Sequence, residues 1–230
     1  MNDNYYKAYD NRYKQVHDKG LLWEYIEPSP VVEDFIKENN ATKASKILDL
    51  GCGEGRDAIN LLKKGYNVFA IDQSSEAIKK CIELSKGKYA DRFCEFDIIT
   101  DTDNSKYNFI YSISVLHMFV LDKHRESFFK FIYNHLEDNG KALITVLGDG
   151  KTEKATNIED AFTLSERILQ QTKQRIMVSS TSCRIVNWDI LKEEIKKSGL
   201  HIEKKFISKA IPGFNSSMCV ILKKVIKWFI

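Results

Sequence analysis

Hydrophobic positions in the first half of the chain alternate between short continuous runs and helical spacing. The run at 46–50 (KILDL) is followed by apolar residues three or four apart across 58–62. The pattern repeats with a run at 67–71 (NVFAI) and helical spacing across 76–85. Short apolar runs indicate buried strands, and a period near 3.6 indicates helices. Their alternation predicts a parallel sheet with helices on both faces.

The second half continues this rhythm and then departs from it. Three further strands are predicted at 92–96, 107–113 and 141–147, and a helix is predicted at 124–136. Asn187 is a predicted N-cap for a helix that ends before Gly199. Two strand-like runs, 202–207 and 218–222, flank the turn-rich segment IPGFNSS and predict an antiparallel hairpin. We therefore expect the α/β class, a Rossmann-like doubly wound sheet of seven strands, mostly parallel, with one antiparallel strand in the C-terminal hairpin.

Two regions lie outside the alternation. Residues 1–29 include four tyrosines in a helical stretch and predict an aromatic cap ahead of the sheet. Residues 148–186 form an insertion after the fifth strand, where lids and substrate loops are usually found. A chain of 230 residues with 43% hydrophobic content can bury one core. We expect a single domain over 1–230, with the insertion as a candidate substrate lid.

Charge and cysteine content narrow the classes of partner. Residues 1–150 carry 20 basic and 24 acidic side chains, and residues 151–230 carry 15 and 8. A basic half can face a polyanion, but these lysines alternate with glutamates as on solvated helix faces, so a nucleic-acid partner is not expected. Five dispersed cysteines without CxxC spacing favour reduced thiols and predict no metal site. The absence of a signal-peptide or membrane-spanning run predicts a cytoplasmic protein without a membrane partner.

The glycine-rich turn after the first strand is the main chemical feature. Its sequence, GCGEG at 51–55, leaves the backbone open to a ligand at the carboxyl end of the sheet. A dinucleotide loop has the spacing GxGxxG, because a pyrophosphate must reach the helix N-terminus. Here the spacing is GxGxG and Asp49 precedes it, which favours an ammonium group over a diphosphate. An NAD-type oxidoreductase on a related fold is the first alternative.

The segments DLGCGEGR, AIDQS and FCEFDI resemble the class I S-adenosylmethionine-dependent methyltransferases, and the similarity extends over about 30–224. The lead-in WEYIEPSP is similar to the small-molecule branch, such as thiopurine- or tellurite-type enzymes. The resemblance implies a transferase of EC 2.1.1 type. It would move a methyl group from S-adenosyl-L-methionine to an O, S or N atom of a small molecule and release S-adenosyl-L-homocysteine. The fourth strand is followed by SISVLHMF, which lacks the Asn/Asp-Pro-Pro-Tyr/Phe motif of nucleic-acid and amide methylators. A non-catalytic cofactor-binding protein is the second alternative.

The resemblance also implies which residues bind the cofactor. The amino-acid end would be held by Asp49 and by the backbone of Gly51, Gly53 and Gly55. The adenosyl part would be held by Asp72 at the ribose hydroxyls, Gln73 beside the ribose and adenine, and Asp97 and the Ile98 N–H at the adenine. The backbone of Ser112 or Ile113 would bind the methionine part. A helix N-terminal acid is the alternative for Asp72 taken alone.

Candidates for catalysis and acceptor binding are fewer. Alignment of the reactants supplies most of the rate in an in-line displacement, and a base is needed only for a protonated acceptor. His117 is the candidate base, with a packing histidine as the alternative. Tyr6, Tyr13 and Trp23 are candidates to flank a sulfonium through cation–π contacts, with core packing as the alternative. Cys183 is a candidate thiol in the acceptor pocket, with an inert buried cysteine as the alternative.

Overall fold

The computed structural model describes residues 3–169 and 171–225, so positions 1, 2, 170 and 226–230 of the predicted domain lie outside the described residues. The α-helices are α1 Ala8–His17, α2 Pro30–Glu38, α3 Arg56–Lys63, α4 Ser75–Leu84, α5 Asp122–His135 and α6 Trp188–Lys197. The strands are β1 Lys46–Leu50, β2 Asn67–Asp72, β3 Phe93–Glu95, β4 Tyr107–Ile113, β5 Leu136–Leu147, β6 Lys154–Ala155, β7 Leu164–Ile168, β8 Arg175–Ser179, β9 Arg184–Ile185, β10 Leu200–Ser208 and β11 Ser217–Lys224.

Seven strands form one sheet in the order β10-β11-β5-β4-β1-β2-β3. Strand β11 is antiparallel to both of its neighbours, β10 and β5, whereas the pairings among β5, β4, β1, β2 and β3 are parallel. In the central strand, Asp49 is in register with Ala70 of β2 and Tyr111 of β4. The expected fold class, with its single antiparallel strand, is confirmed.

Both faces of the sheet are buried. In β1, Ile47 belongs to the apolar cluster that includes α2 and α3, and its neighbour Leu48 belongs to the cluster that includes α5. Successive side chains of a strand point to opposite faces, so a strand with both apolar must be covered twice. One apolar residue within the predicted helix 76–85 is not part of the core, because Leu84 is 41% exposed at the end of α4.

The end of the chain folds as its turn and cap residues predict. The Asn187 side chain accepts hydrogen bonds from the amides of Asp189 and Ile190, which are otherwise unpaired in the first turn of α6. Gly199 follows α6 at φ 82°, the left-handed conformation that glycine adopts most readily. The hairpin of β10 and β11 then adds the antiparallel strand to β5.

The N-terminal segment is fixed to the body of the sheet by tyrosines. Tyr5 is fully buried, and its hydroxyl accepts hydrogen bonds from the amides of Val120 and Leu121 at 2.8 and 3.0 Å. The hydroxyl also lies 3.0 Å from His124 Nδ1. The predicted aromatic cap therefore contains at least one tyrosine with a packing role.

The 148–186 insertion forms two small antiparallel sheets, β6 with β9 and β7 with β8. The β7–β8 hairpin packs on α1, where Ser179 donates its amide to Gln15 Oε1 at 2.7 Å and accepts from Arg12. The insertion and the N-terminal cap thus cover the carboxyl edge of the sheet together. Its action as a lid stays a prediction. None of the described helices is both long and apolar enough to cross a membrane.

Candidate active site

Two adjoining cavities open at the carboxyl ends of β1, β2 and β4. The larger has a volume of about 450 Å³ and the smaller about 50 Å³. Six residues line both cavities and so mark their junction: Tyr9, Tyr13, Gly51, Asp72, Val115 and Met118. The connected space is elongated and runs from the end of β3 across the glycine turn to the insertion, as the crevice of an open α/β sheet should.

The glycine turn brings other side chains close to its backbone. Gly51 and Gly53 have φ values of 76° and 53°, in the left-handed region. A Cβ on Gly51 would overlap Val115, and one on Gly53 would overlap the Glu24 carboxylate. Glycine is required at both positions for conformation and for space. Val115 and the Glu24 carboxylate therefore pack directly against the backbone of the turn.

Three predicted acids are distributed along the crevice. Asp49 lines the larger cavity, Asp72 lines both, and Asp97 lines the smaller one. The two oxygens of Asp72 accept hydrogen bonds from the amides of Gly53 and Ser74, each at 2.9 Å. These bonds fix the carboxylate at the junction of the cavities.

Asp97 is held from the N-terminal cap. Its Oδ2 accepts from the Tyr6 hydroxyl at 2.9 Å and pairs with Lys7 Nζ at 2.9 Å. Its Oδ1 accepts from the Ile99 amide at 3.0 Å and keeps a second lone pair for a ligand. Tyr6, a candidate from the sequence to flank a sulfonium, lines the smaller cavity and binds Asp97.

The carboxylates of the crevice are poorly solvated. Burial raises the pKa of Asp72 to about 6 and that of Asp49 well above its usual range, with Asp57 adding to the effect on Asp49. Burial, with the charge of Glu54, raises the pKa of Glu24 to about 7, although Arg56 opposes the shift. An ammonium or sulfonium group would stabilise the ionised forms, whereas a diphosphate would not. This donor set therefore fits the cofactor that the resemblance implies.

The remaining predicted cofactor residues divide into two groups. Gln73 and Ile98 line the smaller cavity, and Ile113 lines the larger. The Ser112 hydroxyl donates to the Leu50 carbonyl at 2.7 Å inside the sheet, and the role expected for the Ser112 backbone stays a prediction. This hydrogen bond of the Ser112 side chain joins β4 to β1. The next residue, Ile113, lines the larger cavity.

His117 lies in the wall of the larger cavity, and its side chain is buried. It is 5% exposed, and within the described part of the chain its Nδ1 has no hydrogen-bond partner. Burial, assisted by the charge of Arg125, lowers the pKa of His117 to about 4. The imidazole is therefore neutral at pH 7. Its unpaired Nδ1 can donate or accept a hydrogen bond with a ligand, according to the tautomer.

The other candidates from the sequence line the larger cavity. Tyr13 also reaches the smaller cavity, and its hydroxyl donates to Glu24 Oε1 at 2.7 Å. Burial raises the pKa of Tyr13 well above its usual range, so it is a neutral phenol. Trp23 and Cys183 contribute to the walls, and burial raises the pKa of the Cys183 thiol. Structure thus brings these residues together without showing a chemical step for any of them.

Sequence reasoning missed the acid that organises the lead-in. Glu54, inside the glycine turn, is 2% exposed and accepts hydrogen bonds from the amides of Trp23 and Glu24 at 3.0 and 2.8 Å. Its Oε1 also lies 2.6 Å from His17 Nε2. These contacts hold Glu24 over Gly53. The sequence indicated this interaction only by placing one glutamate between the glycines of a turn that has few other side chains.

Three arginines on the cavity walls were also missed: Arg12, Arg56 and Arg167. Arg56 begins α3, donates to the Ser29 hydroxyl at 3.0 Å and pairs with Asp57 at 3.3 Å. Its Nε is buried without a hydrogen-bond partner among the described residues. Only the position of Arg56 directly after the turn marked it in the sequence.

A family model described as a methyltransferase domain matches residues 22–204. This match covers most of the chain. The chain belongs to this methyltransferase family. The expected membership of the class I S-adenosylmethionine-dependent methyltransferases is confirmed, and with it S-adenosyl-L-methionine as the cofactor.

Individual relatives are similar over part of their length. A ubiquinone biosynthesis O-methyltransferase of Rickettsia conorii is 30% identical over 130 residues, which are 55% of this chain and 42% of that protein. A probable S-adenosyl-L-methionine-dependent methyltransferase, TehB, of Haemophilus influenzae is 28% identical over 146 residues, 60% of this chain and 48% of that protein. The chain thus matches slightly less than half the length of these relatives.

Solved structures share the fold at low identity. An S-adenosylmethionine-dependent methyltransferase from Clostridium acetobutylicum has a TM-score of 0.63 at 18% identity and covers 95% of this chain and 98% of its own. A Burkholderia thailandensis 1,6-didemethyltoxoflavin-N1-methyltransferase, with 1,6-didemethyltoxoflavin and S-adenosylhomocysteine bound, has a TM-score of 0.70 at 15% identity and covers 98% of this chain and 91% of its own. These similarities confirm the architecture of the sheet.

Proposed function

We propose that this protein transfers a methyl group to an oxygen, sulfur or nitrogen atom of a small-molecule acceptor. The proposal depends mainly on one observation, the placement of Asp97, Asp72 and Asp49 in that order along one crevice that ends in a larger cavity. A ligand with an adenine, a ribose and an ammonium group matches this order of acceptors. The adjoining volume of about 450 Å³ has room for a second small molecule.

Each part of the crevice would hold a different part of the cofactor. Asp97 and the Ile98 amide would bind the adenine, and Asp72 would accept from the ribose hydroxyls through charge-assisted hydrogen bonds. Asp49 and Glu24 would face the ammonium group across the glycine turn. The unpaired Nε of Arg56 is a donor for the cofactor carboxylate. When bound, S-adenosyl-L-methionine supplies an electrophilic methyl group on a sulfonium.

The protein's own residues would position the reactants and exclude water. Tyr9, Tyr13 and Trp23 close the crevice from the N-terminal side. Holding two reactants at near-attack distance can supply about 7–11 kcal/mol of the barrier reduction. Neutral His117 would accept a hydrogen bond at Nδ1 from an acceptor that carries a proton.

The similar proteins support a small-molecule acceptor without fixing its reacting atom. One relative is named for O-methylation in ubiquinone biosynthesis, and one structural neighbour is named for N-methylation of 1,6-didemethyltoxoflavin. The walls of the larger cavity combine aromatic side chains with hydroxyl groups, as in pockets for small organic ligands.

Equilibrium binding and turnover together test this function. We expect S-adenosylhomocysteine to bind in isothermal titration calorimetry and NADH to give no heat of binding. The reverse result would establish the oxidoreductase alternative. Transfer of a labelled methyl group from S-adenosyl-L-methionine to members of a metabolite panel would then separate an enzyme from a non-catalytic cofactor-binding protein.

A further inference from the structure

Arg12 is a buried cation without a carboxylate partner. Its side chain is 4% exposed, and its Nε and Nη2 both donate to the Ser179 carbonyl, at 2.9 and 2.8 Å. Within residues 3–169 and 171–225, no carboxylate lies within 4.0 Å of the guanidinium. A charge that is removed from water without a counterion is costly, and a desolvated charged group in a cleft is a candidate for a binding site.

Aromatic rings compensate only part of this cost. The Arg12 guanidinium lies 4.5 Å from the ring centroid of Trp23 and 5.1 Å from that of Tyr9. Each such contact contributes up to about 2 kcal/mol when desolvated, and neither neutralises the charge. Burial lowers the pKa of Arg12, Tyr9 and Tyr13 oppose this effect, and Arg167 adds to it. Arg167 is thus a second cation close enough to act on Arg12.

Arg167 reaches the same cavity from the insertion. It lies on β7 opposite Ile176 of β8, and paired residues of an antiparallel ladder share one face of the hairpin. Ile176 is buried, whereas Arg167 is exposed, so Arg167 meets the cavity from its solvent-exposed side. Arg12 and Arg167, from two separate elements, both line the cavity of about 450 Å³.

The acids of the cavity lie elsewhere. Glu24 is next to the glycine turn, and the positive charge that acts on it is that of Arg56. Arg56 in turn pairs with Asp57. The cavity thus has an acidic end at the cofactor crevice and a cationic end where α1 meets the β7–β8 hairpin.

We propose that the methyl acceptor carries an anionic oxygen group, a carboxylate or a phosphate, which Arg12 and Arg167 bind at the hairpin end of the larger cavity. This inference depends on the proposed function, because it assigns the substrate class of the same site. Guanidinium groups bind planar and tetrahedral oxyanions through two parallel hydrogen bonds, and they do so most strongly where water is excluded.

The opposite wall suits the uncharged part of such an acceptor. Tyr25 and Phe214 provide aromatic surface. The buried Oγ of Ser114 and Nδ1 of His117 have no hydrogen-bond partner among the described residues, and both residues line the cavity. An acceptor held at one end by its anion would direct a polar atom toward these two groups.

The test uses the full chain saturated with S-adenosylhomocysteine and three probes of similar size: 4-hydroxybenzoate, 4-hydroxybenzamide and phenyl phosphate. We expect an anionic probe to bind at least about tenfold more tightly than the neutral amide, since charge-assisted bidentate bonds are involved. A stronger response to phenyl phosphate than to 4-hydroxybenzoate would identify a phosphate, and the opposite order a carboxylate.

Matched variants locate the effect. Arg167→Gln should reduce the preference for the anion to about twofold or less, as expected when a charged donor is lost. Arg175→Gln is the control, because Arg175 is on the same hairpin but does not line the cavity and is paired with Glu166. The control should keep the full preference. Arg12→Lys should retain part of it, because the charge remains but the planar fork is lost.

Equal affinity for the acid and the amide would overturn the inference. So would the absence of binding of either anionic probe up to about 10 mM, a concentration well above the range of specific sites. A third contradicting result is an Arg167→Gln variant that loses affinity for S-adenosylhomocysteine instead of for the anionic probe. The last result would assign the guanidinium to the cofactor carboxylate. Failure of S-adenosylhomocysteine itself to bind would contradict the proposed function, and is recorded in the first titration before any probe is added.

Discussion

The Tyr13 hydroxyl and the Glu24 carboxylate meet in the space that a side chain at Gly53 would occupy. Tyr13 donates to Glu24 Oε1 at 2.7 Å, and both oxygens would collide with a Cβ on Gly53. The N-terminal helix and the lead-in thus place a hydrogen-bonded acid directly on the bare backbone of the turn. The amino-acid end of a cofactor would bind at this position.

Tyr13→Phe should weaken binding of S-adenosylhomocysteine about 3- to 10-fold, corresponding to the roughly 1 kcal/mol of one hydrogen bond to a carboxylate. Without this donor the carboxylate is less fixed and less readily ionised. Calorimetric titration measures the change, with Tyr66→Phe as a control that removes a hydroxyl remote from the crevice. Unchanged affinity in Tyr13→Phe would show that Glu24 does not face the cofactor.

Gly53→Ala and Gly65→Ala separate conformational strain from loss of space. Both glycines have positive φ, 53° and 80°, but nothing lies within 4 Å of a Cβ at Gly65. Each substitution should cost about 1–2 kcal/mol of unfolding free energy in urea titrations, the penalty of a left-handed residue with a Cβ. Only Gly53→Ala should also abolish cofactor binding. If both variants bind equally well, the overlap with Glu24 is unimportant.

Asp72→Asn should weaken binding of S-adenosylhomocysteine by more than about 1.5 kcal/mol, because an amide cannot accept from Gly53 N, Ser74 N and a ribose together. Glu95→Gln is the control, since Glu95 ends the adjacent strand β3 but is exposed. Calorimetry on both variants decides the assignment. A change below about 0.3 kcal/mol in Asp72→Asn, within ordinary surface effects, would remove Asp72 from the ribose site.

The raised pKa of Glu24 predicts opposite pH dependences for stability and binding. Because its pKa rises from 4.5 to about 7 on folding, the protonated form stabilises the fold and this contribution is lost as pH rises through that range. Binding of an ammonium group needs the ionised form, so affinity should increase over the same range with release of protons. Asp72, with a pKa of about 6, adds to both trends.

Titrations in two buffers of different ionisation enthalpy, at pH 5.5 to 8, measure this proton release. Glu24→Gln should reduce it and should also flatten the decrease of unfolding free energy with pH. Glu27→Gln, in the same lead-in but exposed, is the control. Affinity that is independent of pH in the unmodified protein would mean that Glu24 is already ionised when the cofactor arrives.

His117 should destabilise the fold in acid. Its pKa falls from 6.5 to about 4 on folding, so the unfolded chain takes up a proton first and stability is lost as pH falls from 6.5 toward 4. Urea unfolding of His117→Asn across this range should show a smaller loss than the unmodified protein. His201→Asn, an exposed histidine, should not differ. Equal slopes in all three would place His117 in contact with solvent.

Local sequence determined much of the architecture, because the period of apolar residues reflects which faces are buried. Ile47 and Leu48 are adjacent and both apolar, which requires a strand covered on two sides. Asn187 and Gly199 bound a helix by chemistry that acts within a few residues. The glycine spacing after Asp49 favoured a cofactor with an ammonium group over a dinucleotide, because this signal also lies within a few consecutive residues.

Tertiary structure alone decided the partners of the side chains in the crevice. Arg12 and Ser179 are 167 positions apart, and no local pattern connects them. The burial of Glu54, the contact of Tyr6 with Asp97 and the unpaired Nδ1 of His117 likewise depend on how distant elements pack. Periodicity reports the side of an element that is buried, whereas the chemistry of a site depends on what lies opposite, and only the folded chain brings that into contact.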